Sequence, residues 1–328
     1  MIFPVLHPDD SAYLLSDENK RDTVDVIDTL HFPEFCVEQL KAMECELDFA
    51  QEFAPARKQY SSRFLNLVMA QFSDDTDKAA QAVTQLQQET GDSSGLTILA
   101  IQMRCAALSR KLYARADLSD ELFVRTFDWF PRFVRWQKNN VDGLLGHRVT
   151  DPVHPALFTE AFWSPRLLNL SILRFGEFEF EFSDVPSSCE ASSSEEGNQG
   201  ERVVNLHIPE DARLDAEHMR ASFTQFRAFT AVRLPRFLTA PILCESWLLD
   251  PALDELLPAH SHLHEFRSLF SLTGSEVSQD YQKWIAGCEG LSADELPEVT
   301  SLQRAIKQYV RSGGVMSCGI GQLSSSKL

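Results

Sequence analysis

The segment Pro241-Ile-Leu-Cys-Glu-Ser-Trp-Leu-Leu-Asp-Pro-Ala-Leu-Asp-Glu-Leu-Leu-Pro258 changes hydrophobic period partway along. Residues 242–249 form a short apolar run, the pattern of a buried strand. Asp250 then stands where a helix N-cap belongs, with Pro251 at the first helical position. Leu253, Leu256 and Leu257 continue at helical spacing until Pro258 ends it. A strand that feeds directly into a capped helix is half of an α/β unit. The carboxyl end of such a strand is where open α/β sheets place ligands.

The neighbouring sequence extends that unit in both directions. Residues 173–182 contain Phe178, Phe180 and Phe182 in strict alternation with Glu177, Glu179 and Glu181, a half-buried strand. Its glutamate row reads as a solvated sheet face that could also form an acidic wall for an amine. Residues 187–200 are polar, with no apolar anchor, and are expected to be a disordered insertion. Residues 203–208 read as a strand. Residues 215–232 read as an amphipathic helix with Met219, Phe223, Phe226 and Thr230 on one side. A further strand is expected over 263–272. Helices are expected around Tyr281, Trp284 and Ile285, and around Leu302, Ile306, Tyr309 and Val310 before Gly313-Gly314. A last strand is expected over 315–320.

Residues 23–140 instead carry helical stripes, including Phe64, Leu67, Val68 and Phe72, and Ile98, Ile101, Cys105, Leu108 and Leu112. Ser119 or Asp120 is a plausible N-cap for a helix that Pro131 interrupts, and residues 91–95 read as a loop. The expected fold class is therefore α+β or mixed α/β. A mainly helical domain over 1–165 precedes a mixed sheet flanked by helices over 166–321, with a flexible tail over 322–328.

Composition excludes several functions. The chain has 328 residues, 44% hydrophobic and 24% charged, which is ordinary globular composition. Its formal net charge of −18 repels nucleic acid and anionic lipid, so neither a nucleic-acid nor a membrane partner is expected. No apolar run reaches the ~18 residues of a membrane span, and the first ten residues lack the basic and apolar regions of a secretory signal. The seven cysteines are odd in number and form no Cys-x-x-Cys, which points to reduced thiols.

The candidate site residues cluster on two strands. Asn205 and His207 share a strand face, and His207, just before Pro209, sits near the strand's carboxyl end as a candidate base. Cys244 and Ser246 share a face of the next strand, with Glu245 and Trp247 opposite. Glu245 on an apolar strand is unexpected for a core position, and a carboxylate so placed is a candidate base with a raised pKa. His260, His262 and His264 would point one way on a strand, but no carboxylate or thiolate at ligand spacing completes a metal set. No metal is expected.

Three segments together resemble two-domain acyltransferase-like proteins with a helical N-terminal domain and a GNAT-like C-terminal domain. They are Ile172-Leu-Arg-Phe-Gly-Glu-Phe-Glu-Phe-Glu, Val204-Asn-Leu-His-Ile-Pro and Cys244-Glu-Ser-Trp-Leu-Leu-Asp-Pro-Ala-Leu. Ser261-His-Leu-His-Glu-Phe-Arg-Ser-Leu-Phe is similar to that family's next strand. The likeness covers residues 118–319 and rests on helical character alone before them. It implies a GNAT-like sheet and acyl transfer from acetyl-coenzyme A (CoA) or another acyl-CoA to an amine-bearing small molecule. Such transfer needs a base, oxyanion donors and an acid for the departing thiolate. By their strand positions, His207, Glu245 and Ser246 are the candidates for that chemistry, and Asn205, Arg213 and Cys244 for holding the acyl-CoA; Glu245 stands where the family motif would carry an aromatic or a histidine. The chain departs from the family at the turn that cradles pyrophosphate through glycine amides at a helix N-terminus. Its equivalent, Pro209-Glu-Asp-Ala-Arg-Leu-Asp215, has no glycine and three carboxylates, with Arg213 as its one cation. The alternative is therefore a ligand- or protein-binding module that keeps the fold without catalysis. An open cleft with a bulge and unpaired backbone groups between the 203–208 and 242–249 strands favours the enzyme, and continuous pairing or a side chain plugging the gap favours the module.

The chain ends Ser326-Lys327-Leu328, the peroxisomal matrix address that an import receptor reads. In a eukaryotic cell this predicts a peroxisomal protein, and otherwise a cytoplasmic one. Deleting Leu328 should leave a fluorescently tagged chain in the cytosol with its melting temperature unchanged. Cytosolic localisation of the full chain in import-competent cells would make the ending coincidental.

Overall fold

The computed structural model describes residues 6–48, 58–59, 62–73, 75–91, 95–140, 147–148, 151–155, 163–183, 202–258, 260–287 and 290–324. The polar insertion over 187–200, most of the 91–95 loop and the terminal tripeptide lie outside these residues. The chain divides into two compact units, residues 1–173 and 174–328. The expected boundary at 165/166 fell before a short helix, α9 (Ser164–Leu168), that is tied to the first unit. Gln102 donates to the Ser164 hydroxyl at 2.7 Å, and Ser109 donates to the Leu168 carbonyl at 2.8 Å.

The first unit is helical: α1 (Asp9–Leu14), α2 (Asp17–Thr29), α3 (Glu34–Glu46), α4 (Ser62–Ala70), α5 (Thr76–Thr90), α6 (Leu96–Arg115), α7 (Asp120–Phe127) and α8 (Trp129–Asn140) precede α9. Two short strand pairs accompany them, Leu47–Asp48 with Lys58–Gln59 and His147–Arg148 with Asp151–Pro155. Helix α6 is buried on nearly every side, as expected of a central helix. Its Arg104 is fully buried and paired with Glu44, an arrangement that is costly to break because either partner alone would be an uncompensated charge. Ser119 caps α7 by accepting the Leu122 N–H, as its sequence suggests. Pro131 stands in the first turn of α8, where its missing N–H costs nothing.

The second unit is built on a six-stranded mixed sheet. Its strands are β1 (Ile172–Phe175), β2 (Phe178–Ser183), β3 (Val203–His207), β4 (Ile242–Ser246), β5 (Phe270–Val277) and β6 (Ser317–Leu323), in spatial order β1-β2-β3-β4-β6-β5. The β3–β4 pair is parallel, while β2–β3, β4–β6 and β6–β5 are antiparallel. Helix α10 (Ala216–Arg233) crosses from β3 to β4, as a parallel pair requires. Its stripe of Met219, Phe223, Phe226 and Thr230 is buried. Phe180 stacks on Phe226 at 4.1 Å between centroids, and Phe178 and Phe182 meet Phe223 and Phe226. The phenylalanine face of β2 is thus the face that α10 covers.

Two expectations are corrected. Residues 263–272 are not one strand: α12 (His262–Arg267) occupies the first part, and β5 begins at Phe270. Ser261 starts α12 by accepting the His264 N–H at 3.1 Å, so the alternating histidines do not line up on a strand. The apolar run after Pro241 is likewise divided. Strand β4 stops at Ser246, whose hydroxyl accepts the Leu248 N–H at 3.1 Å and opens a 3-10 turn, Trp247–Leu249. Helix α11 (Leu253–Leu256) follows. Helices α13 (Asp280–Ala286) and α14 (Ser301–Arg311) then close a satellite core over Trp247, Leu253, Tyr281, Ile306 and Met316.

Strand β6 is crossed closely by the turn after β4. A Cβ at Gly319 would run into the Leu249 carbonyl, so this position needs the bare backbone. The Gly319→Ala variant should lose about 1–3 kcal/mol of stability by overpacking, measured as a lower urea midpoint at an unchanged m-value.

Candidate functional site

The parallel ladder between β3 and β4 covers two residue pairs, Val204–Ile242 and Asn205–Leu243, and then stops. Both strands continue past it. On its outer side β3 stays paired with β2 as far as His207, opposite Glu179, and β4 stays paired with β6 as far as Ser246, opposite Gly319. The sheet therefore opens between two strands that each keep their other neighbour. Val204 donates its N–H to the Pro241 carbonyl at 3.0 Å, which marks the residues whose peptide groups face across the gap. Peptide direction alternates along a strand, so Leu206 on β3 and Leu243 and Glu245 on β4 face the same way. Beyond the last registered pair, the Leu206 carbonyl and the Glu245 N–H turn into the opening.

Several bonds hold the two lips apart. The exit of β4 is fastened on its far side. Buried Asp250 accepts the Ala252 N–H at 2.8 Å and the Ser317 N–H at 2.6 Å, so it links this exit to the start of β6. Arg267 on α12 donates to the Leu248 carbonyl at 2.7 Å and pairs with Asp254 at 2.6 Å. On the other lip, His207 Nε2 lies 2.9 Å from Glu181 Oε2.

Register fixes which side chains share the opening. Residues paired across strands project to one face, so Glu179, Glu181, Asn205, His207, Leu243 and Glu245 lie on the face opposite α10. His207 and Glu245 thus flank the opening on the same side. The glutamate row is not a solvated face. Glu179 is 2% exposed and Glu177 8%, and Glu181 is largely enclosed beside His207. The Glu181 carboxylate meets the imidazole at Nε2 and so orients the His207 ring on this lip.

The remaining sequence candidates fall into place as follows. Asn205 is half-buried on the His207 face, one turn of the pleat deeper in the split. Glu245 is exposed rather than enclosed, since it stands on a lip and not in the core. Ser246 uses its hydroxyl oxygen as the cap of the following turn. Cys244 points to the helix-covered side and is buried; burial pushes its thiol far above the ordinary range, and the Glu245 carboxylate adds to the shift. That side chain is packing, and the residue's peptide groups face β6 rather than the split.

The turn over residues 209–215 is acidic in sequence, yet each carboxylate beside it is engaged. Asp211 holds Arg174 at 3.0 Å, and Glu177 accepts both the Arg213 guanidinium and its N–H at 2.9 Å. Asp215 caps α10 by accepting the His218 N–H at 3.2 Å and lies 2.6 Å from the His218 ring. These bonds from the ring and the amide hold the Asp215 carboxyl below the ordinary range. The anion position at the start of α10 is occupied by the chain's own carboxylate. Arg213, the sequence candidate for phosphate, is committed to Glu177. The described residues contain no cluster of three metal-ligating side chains, and no described helix is long and apolar enough to cross a membrane. Sequence reading missed the pairing of Glu181 with His207; the i, i+2 glutamate row was visible, but its partner depends on the β2–β3 register.

This geometry coincides with a known domain. Residues 172–323 match the family model of the GNAT-like C-terminal domain. Solved structures with the same fold include an acyltransferase in complex with decanoyl-CoA and teicoplanin, with a TM-score of 0.64 and 18% identity over 91% of this chain and 86% of that one. A mutant acyltransferase in complex with octanoyl-CoA gives a TM-score of 0.65 at 18% identity, over 93% of this chain and 88% of that one. No curated protein matches the chain.

If Cys244 is packing rather than chemistry, iodoacetamide should modify exposed Cys45 in the folded chain and leave Cys244 unmodified until denaturant is added. Peptide mass spectrometry over a time course checks this. Early labelling of Cys244 would contradict its placement.

Proposed function

We propose that this protein is an acyl-CoA-dependent N-acyltransferase acting on an amine-bearing small molecule. The observation that carries the reading is the split between β3 and β4, with His207 and Glu181 on one lip and the Glu245 N–H on the other. The structurally similar proteins are acyltransferases captured with decanoyl-CoA or octanoyl-CoA, one of them with the glycopeptide teicoplanin, which supports acyl-CoA as co-substrate. The continuous pairing expected of a non-catalytic module is absent from the described residues at this point.

The residues suit the chemistry. An extended pantetheine arm entering the split would meet the Leu206 carbonyl and the Glu245 N–H as a strand would. His207 accepts a proton from the substrate ammonium, and the free amine attacks the thioester carbonyl. The carbonyl π electrons move to oxygen, and the Glu245 N–H donates to that oxyanion. Collapse of the tetrahedral intermediate breaks the C–S bond and forms the amide, and the extra proton on the attacking nitrogen passes to the departing CoA thiolate. Glu181 fixes the ring of His207 and stabilises its imidazolium. The Glu245 and Glu179 carboxylates share this face and favour a cationic acceptor.

The test is acyl transfer by purified full-length chain, read as free thiol release from acetyl-, octanoyl- and decanoyl-CoA with a panel of amines. His207→Ala should lower kcat by about 10²–10⁴-fold. Glu181→Gln should lower it by up to about 100-fold through misorientation, while KM for acyl-CoA is unchanged. Absence of acyl-CoA binding by calorimetry would overturn the reading, and full activity in His207→Ala would remove that residue from the mechanism.

A further inference from the structure

A cavity of about 240 Å³ lies between α10 and α12, on the helix-covered side of the sheet. Met219, Phe223 and Leu269 line it, together with Arg220, Arg227 and Glu265. Arg220 and Arg227 are seven residues apart, two turns along one face of α10, or about 10 Å of rise. Both are exposed, and neither has an ion pair among the described residues. This is unusual in a chain with 48 acidic and 30 basic residues. The neighbouring arginines of this unit are spoken for: Arg174 by Asp211, Arg213 by Glu177 and Arg267 by Asp254. Glu265 itself faces His262 at 3.5 Å.

We propose that Arg220 and Arg227 bind the phosphorylated adenosine end of the ligand whose reactive end lies in the β3–β4 split. The inference rests on the acyl-CoA reading given above and adds where the anionic end goes. Guanidinium groups are matched to phosphate oxygens, and the apolar Met219, Phe223 and Leu269 surface suits a planar base. The start of α10, the other anion position on this side, is filled by Asp215. The cavity is smaller than the ~300–1,000 Å³ of a whole ligand site, as befits one end of a long ligand. Helix α10 begins just after β3, and α12 is fastened by Arg267 to Leu248 just after β4. The cavity therefore flanks the split on the helix side, whereas His207 and Glu245 lie on the other face. A ligand threaded through the split would carry its nucleotide on one face of the sheet and its reacting carbonyl on the other.

The full-length chain is titrated calorimetrically with CoA, adenosine 3′,5′-bisphosphate, ATP and pantetheine, as wild type and as the double variant Arg220→Ala/Arg227→Ala. Both positions are exposed on a helix, where alanine is well tolerated, and an unchanged melting temperature establishes the fold. The bisphosphate should bind wild type and compete with CoA. The double variant should bind both about tenfold more weakly, from two exposed charge contacts of modest strength. Pantetheine affinity should not change. If CoA binds wild type and double variant equally, the arginine assignment fails and the acyltransferase reading stands. If the bisphosphate or ATP binds through the arginines but CoA binds no tighter than they do and no acyl transfer occurs, the cavity is a nucleotide site and the acyltransferase reading fails. No binding of the bisphosphate to wild type overturns the proposal.

Discussion

The second unit depends on a ladder that stops. Parallel pairing between β3 and β4 lasts for two residues, and everything proposed for the site follows from the backbone groups it leaves facing the gap. Unpaired strand edges inside a sheet are costly unless something satisfies them, because buried N–H and C=O groups are almost always bonded. Here the gap is held open by specific bonds. Asp250 and Arg267 fix the exit of β4 toward β6 and α12, and the Leu249 backbone lies directly over Gly319. Strand β3 stays with β2, where His207 meets Glu181. An extended ligand chain is the natural partner for such an edge, since it can replace the missing strand.

The apolar face of the sheet was legible because its periods are local. Phe178, Phe180 and Phe182 alternate at period two, and Met219, Phe223, Phe226 and Thr230 recur at helical spacing. The two sets meet in the ring contacts of the core. Residues 263–272 were misread because a short apolar run does not separate helix from strand by period alone. The discriminating signal was Ser261, three residues before His264, whose N–H it accepts. The N-cap preference of serine is visible in sequence and outweighs six residues of ambiguous pattern.

The glutamate row failed for a different reason. Alternation identifies a second face but does not say what covers it, and Glu179 is buried all the same. The split itself could be expected only through the resemblance to a family. It results from pairing between residues about 40 positions apart and from side chains, such as Asp250 and Arg267, whose partners lie elsewhere in the chain. Asp250 shows the limit clearly. It reads in sequence as the cap of the helix that follows, yet that helix begins at Leu253 with Ala252 at its N-cap; Asp250 instead accepts the Ala252 N–H within the turn, and its second oxygen joins β6 through Ser317.

Charge placement links these observations. A formal charge of −18 opposes the binding of a polyanion at long range. Net charge, however, acts over the Debye length, about 8 Å at physiological ionic strength, so the local arrangement decides. Around the 209–215 turn, Arg174 and Arg213 neutralise Asp211 and Glu177, and Asp215 is used up as a cap. These pairs remove repulsion without creating an anion site. The unpaired cations stand farther along α10, at Arg220 and Arg227. The carboxylates of Glu179, Glu181 and Glu245 gather on the opposite face of the sheet. The sheet therefore separates a cationic side from an acidic side, with the split between them. Under the proposed acyltransferase reading, that polarity would orient an asymmetric ligand, with its anionic end on the α10 side and a cationic acceptor on the face where His207 stands.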